Sequence, residues 1–249
     1  YTTFLNSAAT VDPHGLYNNN MAIDNGIIQS GTESYSYTVQ SGFENKPVVN
    51  VSFWDAARFT NWITSGNTEE GVYSLNTTVI NNNAVTRDFF IWITGGVAIA
   101  SENEWYKAAY HDGTYDHEGE GYNLYPNQGI TITSSEANFN NGIEGATTDV
   151  GTYSSSPSYY NTFDQGGNVW EMNETIIADT RRGLRGGYFG NSELGSQELA
   201  STYRTSLDPT SESNTVGFRV SSLQPIPEPS SYALFLGSLT LGLVALRRR

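Results

Sequence analysis

Residues 166–171 read Gly-Gly-Asn-Val-Trp-Glu, and this hexapeptide constrains what the rest of the chain can be. The two glycines permit a backbone with positive φ, which is typical of a tight turn. Trp170 supplies a large apolar surface for burial, and Glu171 places a carboxylate beside it. The stretch therefore predicts a turn that enters a short strand and carries an acidic side chain at its end.

Two capping boxes predict helices upstream of this turn. Residues 52–55 read Ser-Phe-Trp-Asp, and the apolar side chains that follow recur at near-helical spacing, which predicts a helix from about residue 53 to 64. Residues 101–104 read Ser-Glu-Asn-Glu and precede Trp105, which predicts a second helix. Residues 1–9 are consistent with a third. The remaining chain is rich in Gly, Asn, Ser, Thr and Tyr, which favours long loops joined by short strands.

Five segments, taken in order, resemble one known family. The sequence resembles the sulfatase-modifying factor domain, also called the formylglycine-generating enzyme domain, whose fold is an elaborated C-type-lectin fold. The resemblance implies a single α+β domain over residues 1–221, with short strands, long loops and two or three helices. The segments are Pro47–Ala56 (PVVNVSFWDA), Ser101–Ala109 (SENEWYKAA), Gly166–Glu171 (GGNVWE), Leu184–Gly187 (LRGG) and Val216–Val220 (VGFRV).

The resemblance implies a structural calcium site at the hexapeptide. Calcium binds six to eight oxygen ligands, and a carboxylate beside exposed carbonyls in a turn is suited to it. The family's ligands carry over to the side chains of Asp164 and Glu171 and to the backbone carbonyls of Gly167 and Val169. Asp164 stands where some relatives have Asn, which is chemically compatible. The alternative is that Glu171 forms a salt bridge with an arginine such as Arg185 or Arg219.

A second family calcium site would begin at the side chain of Asn138 and the carbonyl of Phe139. The loop that carries the remaining ligands is shortened here. Only Asn141 and Glu144 remain as candidates, so this site is predicted in part.

The copper chemistry of the family depends on two cysteines after the Arg-Gly-Gly motif. Copper(I) requires soft thiolate ligands. The corresponding run, Tyr188 to Tyr203, contains no cysteine, and neither does the rest of the chain. We therefore expect no copper and no catalytic residues. The favoured interpretation is a calcium-stabilised, non-catalytic module that binds a glycan, matrix polymer or protein. The alternative is an enzyme of the same superfamily, an oxidoreductase acting on sulfatases or another substrate with altered chemistry.

The composition changes abruptly at Pro225, where three prolines fall within five residues. We expect the globular domain to stop before this point, because such a run suits neither a helix nor a paired strand. Residues 232–246 carry no charge and are followed by Arg247, Arg248 and Arg249. As a helix, the apolar run is about 22 Å long, against a hydrocarbon core of roughly 30 Å. The arginines favour the cytoplasmic side and place the domain outside.

The order Pro227-Glu228-Pro229, apolar run and arginine cluster resembles the PEP-CTERM sorting signal of Gram-negative bacteria. This resemblance implies an exosortase as partner, a membrane contact that is transient, and delivery to the cell envelope or extracellular matrix. Residues 222–230 form the expected linker, and residues 231–249 the hydrophobic anchor with its arginines. An exported protein also needs a signal peptide, so we expect the natural chain to begin upstream of Tyr1.

The charge of the exported part excludes one class of partner. Setting aside Arg247–Arg249 and Glu228 leaves nine Lys and Arg against 25 Asp and Glu, a net charge of −16. Such an acidic surface repels nucleic acid. Without cysteine and with only three histidines, disulfides are excluded and a structural zinc site is disfavoured.

Three other groups of side chains are weaker candidates. The cluster Arg181, Arg182 and Arg185 is interpreted as structural rather than as a phosphate or sulfate site, and pairing with the acidic turn around Asp164 and Glu171 is one role open to it. The run His111 to Glu118 is interpreted as a polar loop rather than a metal site. Four tyrosines offer faces for stacking on sugars, namely Tyr122, Tyr125, Tyr159 and Tyr160.

Overall fold

The computed structural model describes residues 1–114, 121–141, 145–178, 180–190 and 193–224. These residues form several helices, most of them short. The helices are α1 (Thr2–Ala8), α2 (Met21–Asp24), α3 (Phe53–Ser65), α4 (Thr77–Asn81), α5 (Phe89–Ile93) and α6 (Glu102–Tyr110), with a single 3-10 helix at Gly195–Leu199. The expected two or three helices are therefore α1, α3 and α6, and the others span four or five residues each.

The strands among the described residues are short and form one larger sheet and three ribbons. In chain order they are β1 (Ile27–Ser30), β2 (Ser36–Val39), β3 (Ala98–Ile99), β4 (His111–Asp112), β5 (Gly121–Tyr122), β6 (Trp170–Ile177), β7 (Arg181–Arg185), β8 (Thr205–Leu207), β9 (Val216–Phe218) and β10 (Val220–Ser221). The four-stranded sheet has the order β8-β7-β6-β9, in which only β6 and β9 run parallel. The pairs β1-β2, β3-β10 and β4-β5 form antiparallel ribbons. The expected loop-rich α+β architecture is confirmed.

Helix α3 begins and ends where its sequence predicts. The Ser52 side chain accepts a hydrogen bond from the Asp55 N–H, and the Asp55 carboxylate accepts one from the Ser52 N–H, which completes the capping box. Gly66 ends the helix in the left-handed conformation with φ of 79°, as is common at this position. Most side chains in the first two turns of the helix are buried, and several of them belong to the main core.

Helix α6 repeats this arrangement and faces the hexapeptide. Ser101 and Glu104 form its capping box, as predicted. Trp105 is fully buried on its inner face. Because α6 contacts β6, Trp105 lies beside the strand that begins with the hexapeptide's tryptophan.

The main core lies between α1, α3 and the four-stranded sheet. Phe4 of α1 contacts Phe59 and Trp62 of α3 through ring centroids 5.5 Å apart in both cases. Met172 of β6 is fully buried in the same cluster. A separate cluster forms around Tyr125 and Leu199, and α6 carries a third around Trp105. Because β6 begins at Trp170 and contacts α6, the turn between Asp164 and Glu171 lies where the four-stranded sheet meets α6.

The predicted sorting signal falls outside the described residues. This applies to Pro227, Glu228 and Pro229, to the apolar run 232–246, and to the three terminal arginines. Within the described part of the chain, no helix has the length and apolar character needed to cross a membrane.

Candidate functional site

The turn that carries the predicted calcium ligands is built from left-handed backbone conformations. Asp164, Gly167 and Asn168 have φ values of 59°, 78° and 64°. A Cβ at Gly167 would lie 2.3 Å from the carbonyl oxygen of Asn138, so only glycine permits this approach. The Asn168 N–H donates to that same oxygen at 2.8 Å. The fold thereby brings the turn against the segment at Asn138, although Phe139 and Asp164, the nearest members of the two predicted sites, are 25 positions apart in the sequence.

Glu171 forms a buried ion pair with Arg219. Arg219 donates from Nη2 to Oε1 at 2.8 Å and from Nε to Oε2 at 2.9 Å, and the Trp105 indole donates to Oε2 at 2.5 Å. Glu171 is 5% exposed. The salt-bridge alternative is therefore present in the structure, with Arg219 as the partner, while Arg185 pairs with Glu102 instead. Arg219 was one of the two arginines expected as partner, whereas no sequence motif indicates the hydrogen bond from Trp105.

Asp164 lies half-buried on the same side of the turn. Its Oδ2 accepts a hydrogen bond from the Gly151 N–H at 2.6 Å. Burial raises the pKa of the Asp164 carboxyl above its ordinary value, the Gly151 hydrogen bond and Arg219 lower it, and the charge of Glu171 raises it further. A further positive charge nearby would stabilise the ionised form of the Asp164 carboxyl and lower its pKa.

Two backbone carbonyls of the predicted calcium site keep free acceptor capacity. No residue in the described ranges donates a hydrogen bond to the carbonyl oxygen of Gly167 or of Val169. Glu171 Oε1 accepts one hydrogen bond, which leaves it further acceptor capacity. No cluster of three or more His, Asp or Glu side chains suited to a metal occurs among the described residues. A cation here would depend on the two carbonyls as much as on the two carboxylates, which is a calcium-like donor set.

Asn138 carries an unsatisfied acceptor that also fits a cation. Its Nδ2 donates to the Ala146 carbonyl at 2.8 Å and to Asn168 Oδ1 at 3.4 Å, and these acceptors fix the orientation of the amide. Its Oδ1 is buried and has no hydrogen-bond partner among the described residues. Buried polar atoms without a partner are uncommon in proteins.

The other members of this second site are only partly described. No described residue donates to the carbonyl of Phe139. Asn141 is exposed, and its N–H donates to the Phe189 carbonyl. Glu144 lies outside the described residues. The donor pair Asn138 and Phe139 is consistent with the prediction.

A cleft of about 860 Å³ opens beside the turn. Asp164, Glu171 and Arg219 line one wall of it. Four phenylalanines also line it, namely Phe43, Phe59, Phe163 and Phe218. The cleft combines an apolar lining with a few convergent charged groups, which is typical of ligand pockets.

The run that corresponds to the copper site is packed with other side chains. Its 3-10 helix buries Leu199 completely against Tyr125 and Phe139. The Ser196 hydroxyl lies 3.5 Å from the Tyr125 hydroxyl. Residues 191 and 192 lie outside the described part. Hydroxyls and apolar groups of this kind do not bind copper(I) usefully.

The arginine cluster is structural, as interpreted. Arg181 donates to Ser206, and Arg185 donates to Glu102 and to the carbonyls of Ser201 and Tyr203. Arg182 is 1% exposed, and its guanidinium lies 3.9 Å from the centre of the Phe53 ring. None of these three side chains pairs with Asp164 or Glu171 in the structure.

Three of the four tyrosines meet at one surface. The rings of Tyr159 and Tyr160 each lie 5.2 Å from the His111 ring, and Tyr122 lies 6.2 Å from it. All three tyrosines are exposed by 39–45%. Tyr125 is an exception, because it is buried in the cluster around Leu199. His111 belongs to β4 with its Nδ1 unpartnered among the described residues, while residues 115–118 of the predicted polar loop lie outside them.

Comparisons with known proteins agree with the fold and the motifs. The family model of the sulfatase-modifying factor enzyme 1-like domain matches residues 11–222. The chain belongs to this family. A comparison with curated proteins gives no match.

Two solved structures have a similar fold. Treponema denticola variable protein 1 has 21% identity and a TM-score of 0.55 over 75% of this chain and 74% of its own. A crystal structure of CarF has 18% identity and a TM-score of 0.56 over 81% and 76%. At these identities the likeness is one of fold.

Proposed function

We propose that this protein is an exported, surface-sorted module of a Gram-negative bacterium that binds or displays rather than catalyses. Its sulfatase-modifying-factor-like domain would be held together by structural calcium. The observation that carries the proposal is the complete absence of cysteine from the sequence. Without thiolates the chain has no soft ligands for copper(I), on which the family's oxidase chemistry depends.

Calcium is supported by the character of the oxygen atoms at the turn. Asp164 and Glu171 supply charge, and the carbonyls of Gly167 and Val169 supply further oxygens with no competing donor among the described residues. Asn138 Oδ1 and the carbonyl of Phe139 would hold a second ion. The bound ions would cross-link the turn at Asp164 to the segment at Asn138 and so stabilise the domain.

Export and sorting are supported by the sequence of the tail. Pro227-Glu228-Pro229, the apolar run 232–246 and the three terminal arginines stand in the order of a PEP-CTERM signal. An exosortase would recognise this signal, and membrane contact through the tail would be transient. The protein would then reside in the cell envelope, at the outer surface or in the extracellular matrix.

The surface offers one place suited to a glycan or matrix ligand. The exposed rings of Tyr122, Tyr159 and Tyr160 gather around His111, and aromatic faces stack on the apolar faces of sugars. The acidic body makes nucleic acid an unsuitable partner.

A combined copper and activity measurement tests the non-catalytic part of the proposal. The full chain is incubated with copper(I) and a cysteine-containing sulfatase peptide, and peptide mass and bound copper are measured. We expect no formylglycine product and no stoichiometric copper. Turnover of the peptide or one copper per chain would refute the proposal.

The cleft favours a second candidate, an enzyme of the same superfamily with altered chemistry. Asp164 lies on the cleft wall with a raised pKa, and such carboxyls are common at catalytic sites. If this candidate is correct, Asp164→Asn abolishes turnover of the true substrate while preserving the fold. If Asp164 serves only as a calcium ligand, Asp164→Asn keeps an oxygen donor and retains part of the calcium effect.

A further inference from the structure

Helix α5 displays an apolar surface that the domain does not use. Its sequence is Phe-Phe-Ile-Trp-Ile, and Phe89 and Phe90 are 60% and 76% exposed. Ile91 and Ile93 are also exposed. We call these four side chains the α5 patch. Isolated exposed apolar residues are ordinary, but four on one short helix mark a contact surface.

The α5 patch is held rigidly by its surroundings. Trp92 points inward and packs against the main core, with the Arg87 guanidinium 4.5 Å from its ring. Asp88 caps the helix by accepting a hydrogen bond from the Ile91 N–H at 3.0 Å. At the other end, the Gly96 N–H donates to the Ile91 carbonyl at 2.9 Å. The patch is therefore preformed.

The α5 patch lies where the described domain ends. A Cβ placed on Gly95, two residues after the helix, would lie 3.4 Å from Cγ of Gln224, the last described residue. Leu223 beside it is 55% exposed. From Gln224 the sequence passes through residues 225–231 into the apolar run 232–246. Eight Cα–Cα steps separate Gln224 from Tyr232, and at about 3.1 Å per residue in a polyproline II conformation they would span about 25 Å. A membrane that holds the apolar run would then lie within about 25 Å of Gln224, which is beside the patch.

We infer that the α5 patch inserts into the interface of the bilayer that holds the tail, so that the domain sits on the membrane in one orientation. This inference rests on the proposed membrane stage of the tail. Phe and Ile side chains without charge are suited to the boundary between headgroups and acyl chains. The body's net charge of −16 disfavours an anionic surface, so the fitting partner is a zwitterionic lipid.

The absence of cysteine makes a site-specific test possible. Phe90→Cys in the full chain receives an environment-sensitive fluorophore, and the protein is reconstituted into phosphatidylcholine vesicles whose acyl chains carry a nitroxide quencher. The matched control is Ile130→Cys, because Ile130 is 82% exposed and follows Gly129, whose carbonyl accepts a hydrogen bond from the Tyr125 N–H in a different part of the domain. We expect about threefold stronger lipid quenching at position 90 than at position 130. Adding Phe89→Ser should reduce the quenching at position 90.

Three results would overturn the inference, and they differ in what else they exclude. In the first, the chain co-floats with the vesicles in a density gradient, but iodide in the aqueous phase quenches position 90 as strongly as position 130. The patch then does not insert, although the tail still anchors the chain to the membrane. If position 90 is shielded from iodide but not quenched by the lipid nitroxide, protein covers the patch, either the tail or a second copy. If the chain does not float with the vesicles, tail anchoring and patch insertion both fail.

Discussion

Arg219 holds both carboxylate oxygens of Glu171, with nitrogen–oxygen distances of 2.8 and 2.9 Å. The pair links β6 to the residue that follows β9, and Arg219 also donates to the Phe163 carbonyl at 2.9 Å. The family hexapeptide is thus connected through its last residue to the Val-Gly-Phe-Arg-Val motif. Two segments that are almost 50 positions apart in the sequence therefore form one structural unit.

Removing the charge of Glu171 should destabilise the domain strongly. Glu171→Gln leaves Arg219, which is 30% exposed, without its partner carboxylate. Breaking such a pair costs about 3 kcal/mol, near the lower end for buried pairs, because water still reaches the arginine. Urea unfolding measures the loss. Glu33→Gln at an exposed position is the control and should change stability by less than about 0.5 kcal/mol. Equal effects of the two variants would contradict the assignment.

Asp55 should make the stability of the domain depend on pH. Burial raises the pKa of Asp55 to about 6 from 3.8, although hydrogen bonds from Ser52 oppose the shift. The folded state therefore keeps a proton that the unfolded chain loses. The resulting stabilisation is fully present below pH 3.8 and disappears as the pH rises through about 6, a loss of about 3 kcal/mol at most.

The Asp55→Asn variant isolates this contribution. Asparagine keeps an oxygen that accepts from the Ser52 N–H, so the helix cap is retained in part. The free energy of unfolding is measured between pH 4 and 7 for both proteins. The free energy of unfolding of the unsubstituted protein, relative to that of Asp55→Asn, should fall as the pH rises across this interval. A constant difference would show that Asp55 titrates normally.

Gly113 should be required for the placement of Tyr159. A Cβ at Gly113 would lie 1.9 Å from Cζ of the Tyr159 ring. Gly113→Ala should cost about 1 kcal/mol, since the half-exposed ring can move outward. In a Tyr159→Ala background the same change should cost nothing measurable. Thermal unfolding of the four proteins gives the coupling, and a cost for Gly113→Ala that is the same in both backgrounds would exclude the contact.

The helices were predictable because their signals are local. The capping boxes at Ser52 and Ser101 place α3 and α6 correctly, and each depends on residues three apart. The turn before Glu171 was also predictable, because glycine and asparagine favour left-handed backbone. The order of the family motifs along the chain indicated the overall fold.

The contacts between loops were not predictable, because they join positions far apart without periodicity. The choice of Arg219 over Arg185 as partner of Glu171 depends on β9 lying parallel to β6. The meeting of Tyr159 and Tyr160 with His111 joins residues almost 50 positions apart. The unsatisfied oxygen of Asn138 emerges only from packing. The family resemblance supplied the candidate ligands, whereas the contacts among these side chains required the structure.

Calcium-dependent unfolding of the full chain tests the central claim most directly. The melting temperature is measured in mild detergent with calcium and with a calcium chelator, for the natural sequence, Asp164→Asn and Asp164→Ala. At a calcium concentration about 100 times the Kd, binding adds about 2.7 kcal/mol, which raises Tm by roughly 5–10 °C in a domain of this size. The account predicts this rise for the natural chain, a smaller rise for Asp164→Asn, and a further reduced rise for Asp164→Ala. A melting temperature that calcium leaves unchanged in the natural chain would contradict it.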